Sequence, residues 1–140
     1  MVDLFNQELV GMSCGWHKDA ALVLKAYHSI PYPLTAVDVF HTDRGKEFDN
    51  QLIDDLLTTF DISRSLSAAG NPYDNAVAES TFHAIKVEFI QRYVFESLEQ
   101  LELLLRDYIR WWNYDRLHGT LNYQTPMIYR YLEQATEVAK

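Results

Sequence analysis

The chain has a single cysteine, Cys14, which excludes an internal disulfide framework and fits a reducing compartment. It has no apolar run approaching the ~18 residues of a membrane span. Its N-terminus lacks the basic-then-apolar pattern of a secretory signal. Internal repeats, low-complexity segments and an obvious linker are all missing. Positive charge is scarce as well: 12 Lys and Arg stand against 20 Asp and Glu, a net charge of −8. That is the wrong sign for gripping a polyanion through the field of the whole molecule. Composition alone suits an acidic enzyme or a protein-interaction module. Any nucleic-acid role must rest on a local basic patch, on bound cations or on a partner domain.

What is present is apolar. Hydrophobic residues make up 48% of the 140 residues and aromatics 14%, so the chain is not disordered. Its length suits one ordinary domain with a real core. The expectation is a soluble, cytoplasmic globular segment with no membrane association.

Hydrophobic periodicity gives the elements. Residues 1–5 read as a strand-like tail, Asn6-Gln7 as a turn and residues 8–14 as the next strand. Ala21, Leu22, Leu24, Ala26 and Tyr27 predict a helix over 17–29, stopped by Pro31 and Pro33. Residues 36–41 (AVDVFH) are β-branched and aromatic and too few for a helix, so they predict a strand. Leu52, Ile53, Leu56 and Leu57 predict a helix over 49–60, followed by a short strand at 62–66 and a turn-rich stretch at 67–75. A long helix is expected from an N-cap at Asp74 or Asn75 to about Arg92. Ser97 with Gln100 three residues on forms a capping-box pattern for the next helix. Its stripe is Leu98, Leu101, Leu105, Tyr108 and Trp112, and Thr125-Pro126 opens the last helix. The order implies an α/β chain with a mixed sheet and helices only at its C-terminal end.

Two constellations carry chemistry. In HTDRGKEF, His41 and Asp43 fall at the C-terminal end of a predicted strand, where open α/β folds place ligands. In NPYDNAVAES, a turn feeds a helix and puts Glu79 in its second turn, with thirty-five residues between it and Asp43. Two such carboxylates can converge on a hard divalent cation, Mg²⁺ or Mn²⁺. Each has an ordinary reading too: an Asp after a strand caps a turn, and a helical Glu faces water. His41 and Asp43 as a zinc pair lack the Cys/His spacing that a structural zinc site needs.

The two blocks resemble the H-S-D-x-G-x-x-[YF] and N-P-x-D-N-A-x-A-E-S blocks of insertion-element DDE transposases of the OrfB type. WNYDRLHGTLNYQTPMIY resembles their closing Y-N-x-x-R-x-H-x-x-L-x-Y-x-[ST]-P block, and VDLFNQELVG their D-x-F-S-R-x-I-V-G hairpin. The four blocks run in family order from end to end. The resemblance implies an RNase H-like, retroviral integrase-like core in which three carboxylates hold two metal ions for in-line displacement at phosphorus. Asp43 then matches the second carboxylate and Glu79 the third, both catalytic and both metal ligands. The first belongs to a strand upstream of the hairpin, so an N-terminally truncated core is expected over 1–95, with a C-terminal helical extension over 96–140. Asp3 matches the hairpin aspartate, which is not catalytic. Asp38 lies an odd five residues before Asp43, on the opposite face of a regular strand. Neither replaces the missing ligand.

DNA, as mobile-element ends and target, is the implied partner. His83 and Lys86 lie four and seven residues after Glu79, on its helix face, and are candidates for phosphate contacts. Arg44 and Arg116 are weaker ones; Trp111 and Trp112 could stack on bases, though Trp112, on the helical stripe, suits the core better. The expected function is polynucleotidyl transfer by the parent protein in a bacterial cytoplasm. The alternatives are an inactive remnant that at most self-associates, and a helical interaction module over 97–140. Strand edges left open beside the absent central strand predict a homodimer or higher oligomer.

Overall fold

The computed structural model describes residues 1–67 and 76–138. Among them are five α-helices and one two-stranded sheet. Two compact units divide the chain: Met1 with Val10–Glu79, and Val2–Leu9 with the chain from Ser80 onward.

In the first unit, helix α1 (Ala20–His28) starts where Asp19 accepts the Leu22 N–H at 2.9 Å, relieving one of the donors a helix start leaves open. It buries Val23, Ala26 and Tyr27. After Pro33 a 3₁₀ turn, Leu34–Ala36, takes up the first residue of the strand expected over 36–41. Strand β1 therefore begins later, at Val39–Thr42. Helix α2 (Gln51–Thr59) is capped by Asn50, which accepts the Ile53 N–H at 3.2 Å. Strand β2 (Ser63–Leu66) then returns parallel to β1, with Val39 opposite Ser63 and Thr42 opposite Leu66. This is a β-α-β unit. Tyr27, Ile53, Leu56, Leu57 and Ile62 form its core, with Phe40 set edge-on to Tyr27 at 5.0 Å. Fully burying a side chain such as Ile53 contributes about 1.5–3 kcal/mol.

Helix α3 is Ala76–Glu88, with its residues from Ser80 onward in the second unit; its expected cap at Asp74 or Asn75 lies outside the described residues. It stops four residues short of the expected Arg92, and Ile90–Arg92 tighten into a 3₁₀ turn. The fully buried Phe89 stacks on Tyr108 at 5.0 Å between ring centroids. Helix α4 (Leu98–Tyr114) begins with the expected Ser97 cap, which accepts the Gln100 N–H at 3.1 Å; Gln100 reaches back one residue further than a capping box requires, to the Glu96 N–H at 2.6 Å. Trp112 on its stripe is 2% exposed and lies in the core, as expected. Helix α5 (Pro126–Val138) opens with Thr125 accepting from Ile128 at 3.2 Å.

The two strands expected before residue 15 are reduced to one antiparallel bridge, Val2 with Leu9, around Gln7 at φ 59°. The reason is a rival partner. The Asn113 amide on α4 accepts the Leu9 N–H at 2.9 Å and donates to the Leu9 C=O at 3.0 Å, as a neighbouring strand would. Trp112 donates to the Gln7 C=O at 2.9 Å, and Arg130 on α5 ion-pairs with Asp3 and Glu8, both at 2.7 Å. The hairpin is thus a helix-docked segment rather than part of the sheet. The expected mixed sheet is, among the described residues, a purely parallel pair.

Candidate active site

Asp43 immediately follows β1 and is exposed. One of its oxygens, Oδ1, accepts the Gly45 N–H at 2.9 Å, which turns the chain and fixes the carboxylate. The loop behind it is tight. A Cβ on Gly45 would meet the Glu47 carboxylate at 2.7 Å. Glu47 is 8% exposed and pairs with Lys18 at 2.6 Å, a hydrogen bond that holds its pKa below the ordinary glutamate value. Arg44 is exposed.

His41 has a role that the sequence reading missed. Its two ring nitrogens lie 2.8 Å from the Ser65 hydroxyl and 3.0 Å from the Ser67 hydroxyl. The imidazole therefore ties the end of β1 to β2 and behaves as a sheet fastener rather than a zinc ligand. The alternating Ser residues of SRSLS were the only available signal.

Glu79 lies in the first described turn of α3. Glu79, His83 and Lys86 are all exposed, and their spacing puts them on one face. Asp3 and Asp38 take ordinary places: Asp3 pairs with Arg130, and Asp38 is exposed just before β1.

Arg116 is already engaged within the chain. Its Nε donates to Glu88 Oε2 at 3.0 Å, one terminal nitrogen donates to Glu88 Oε1 at 2.6 Å, and its guanidinium sits 4.4 Å from the Trp112 ring centroid. The Tyr108 hydroxyl adds a bond to Glu88 at 3.1 Å. Arg116 chiefly, with Tyr108, holds the Glu88 carboxyl below its ordinary range, while burial pushes the Tyr108 phenol up. His118 packs edge-on against Trp112 at 4.8 Å; burial and the Arg116 charge lower its pKa.

Carboxylates are suitable ligands for Mg²⁺ or Mn²⁺. Asp43 keeps one oxygen outside its turn, which fits that role. The described residues nevertheless hold no group of three or more His, Cys, Asp or Glu side chains placed to bind a metal ion. No helix among them is long and apolar enough to cross a membrane.

Residues 79–133 match the integrase core domain family. The chain is 29% identical over 129 residues to a transposase-like protein of Haemophilus influenzae, covering 91% of this chain and 60% of the relative. It is also 29% identical to the transposase for insertion sequence element IS904 of Lactococcus lactis, covering 89% and 51%. To the Escherichia coli transposase for insertion sequence IS3A it is 31% identical, covering 78% and 38%. The chain spans about half the length of the curated relatives it matches. With its motif blocks in order and Glu79 at the head of the matched region, the chain is similar to the integrase-core part of insertion-element transposases.

Proposed function

We propose that the protein to which this segment belongs moves a DNA element by metal-dependent cleavage and joining of DNA ends, on an RNase H-like scaffold. Asp43 and Glu79 are then two of its three catalytic carboxylates. The observation that carries the reading is the placement of Asp43: exposed, directly after β1 of a parallel β-α-β unit, and oriented by the Gly45 N–H. Ligand chemistry in open α/β folds gathers at that end of the strands.

Bound Mg²⁺ or Mn²⁺ would supply Lewis-acid activation of the attacking oxygen and charge stabilisation at phosphorus. The chain's own residues do the rest. Asp43 and Glu79 offer hard oxygen ligands, His41 keeps β1 aligned with β2, and Lys86 and His83 meet backbone phosphates beside Glu79. With a net charge of −8, the segment binds DNA through that local face and not through its overall field.

The test is cleavage of element-end DNA by the full-length transposase, carrying Asp43→Asn or Glu79→Gln. Both variants should fold and bind DNA yet fail to cut; cutting at the wild-type rate would defeat the assignment. One observation favours a second reading for this segment alone. Among the described residues no trio of metal-binding groups forms, so the isolated chain should hold Mg²⁺ weakly and leave DNA intact.

A further inference from the structure

Helix α4 has a second stripe, opposite its core-facing one, that is exposed. Leu103 is 62% exposed, Tyr114 59% and the flanking Trp111 43%, and between them Asp107 and Arg110 are also exposed. The steps from Leu103 to Asp107, Arg110 and Tyr114 are four, three and four residues, the spacing of a coiled-coil seam. Neither Asp107 nor Arg110 has an ion-pair partner among the described residues.

We infer that this stripe is the meeting face of two copies of the chain, with their α4 helices antiparallel about a two-fold axis midway between Asp107 and Arg110. Charge complementarity selects both the occupant and its direction. In an antiparallel pair, residues equally far from the axis on either side face each other. Asp107 then meets Arg110 of the second copy, and Leu103 meets Tyr114 of the second copy. The two-fold repeats each contact. A parallel pair would instead set Asp107 against Asp107 and Arg110 against Arg110, which opposes association. Trp111 covers one flank of the seam. A single-helix seam of this kind lies at the low end of interface sizes, under about 1,200 Å² in total, so the dimer is weak and concentration-dependent. The inference is independent of the transposition reading.

Sedimentation velocity of the 140-residue chain over a concentration series tests it. The expected result is a reversible monomer–dimer equilibrium. Asp107→Arg or Arg110→Asp alone places like charges across the seam twice and should weaken the dimer about tenfold or more. The double reversal Asp107→Arg with Arg110→Asp should restore it. Both positions are exposed, and circular dichroism of each variant checks that the fold is unchanged. Mixing Leu103→Cys with Tyr114→Cys chains under oxidation should give a disulfide-linked dimer, while either alone should not. A monomer at every concentration overturns the inference. So does a dimer that the single reversals leave unchanged, or one that the double reversal fails to restore.

Discussion

Arg116 closes a two-point ion pair on Glu88, twenty-eight residues earlier, and so clamps the last turn of α3 to the segment that follows α4. The pair is mostly shielded from solvent, at 23% and 28% side-chain exposure. Its charge-assisted bonds should contribute on the order of 1–3 kcal/mol. The sign with pH follows from the lowered Glu88 pKa. Below the ordinary value of 4.5 the unfolded chain takes up a proton before the folded one does. The stability from this pair is full above that value and is lost as pH falls through the folded-state pKa. Urea titrations of the wild type and Glu88→Gln should differ at neutral pH and converge in acid.

His118 acts in a higher window. Burial and Arg116 lower its pKa from 6.5, so the folded state favours the neutral ring. The unfolded chain binds the extra proton as pH drops below 6.5, and the fold loses stability there. Replacing His118 with Gln should flatten the melting temperature between pH 6.5 and the acid range set by Glu88. An unchanged slope would remove His118 from the account.

Asp43→Asn is a clean test of chemistry because the amide oxygen can still accept the Gly45 N–H. Thermal stability should stay within about 0.5 kcal/mol of wild type, as for most exposed sites. Transposition by the full-length protein should fall by more than about 100-fold. A matching loss of stability would mean that the residue serves the loop instead.

Lys86 should act as a point charge on a phosphate. Lys86→Ala in the full-length protein should weaken DNA binding evenly across sequences and reduce the slope of log affinity against log salt by about 1. An unaltered slope would leave Lys86 as a solvated surface lysine.

Asn113→Ala strands both polar groups of a buried backbone unit, since Leu9 is 6% exposed. The expected cost is about 2–6 kcal/mol, from roughly 1–3 kcal/mol for each of the two unmet groups. Hydrogen exchange at the Leu9 amide should accelerate more than at Ile53 in the other unit.

The parts of this chain legible in its sequence are those whose causes are local. Ser97 with Gln100, and Thr125 before Pro126, announce helix starts because capping acts over three residues. The 98–112 stripe shows that Trp112 belongs inside because a helix repeats every 3.6 residues. Residues 8–14 misled because an apolar, extended run carries no record of its hydrogen-bond partner. Here that partner is a side chain 104 positions away. Glu88 and His41 were missed for the same reason: each looks ordinary until Arg116, or Ser65 and Ser67, is brought beside it. Asp43 and Glu79 stood out through motif and spacing, not through anything that periodicity could supply.

The bond between Leu9 and Asn113 also sets a schedule. A ribosome adding about 5–20 residues per second releases the Val2–Leu9 segment roughly 5–20 s before Asn113 exists. The β-α-β unit, whose strands pair across only twenty-four positions, can close in that interval. The hairpin cannot dock in that interval, because its partners Asn113 and Trp112 lie more than a hundred positions downstream. Docking of the hairpin therefore follows closure of the β-α-β unit during synthesis.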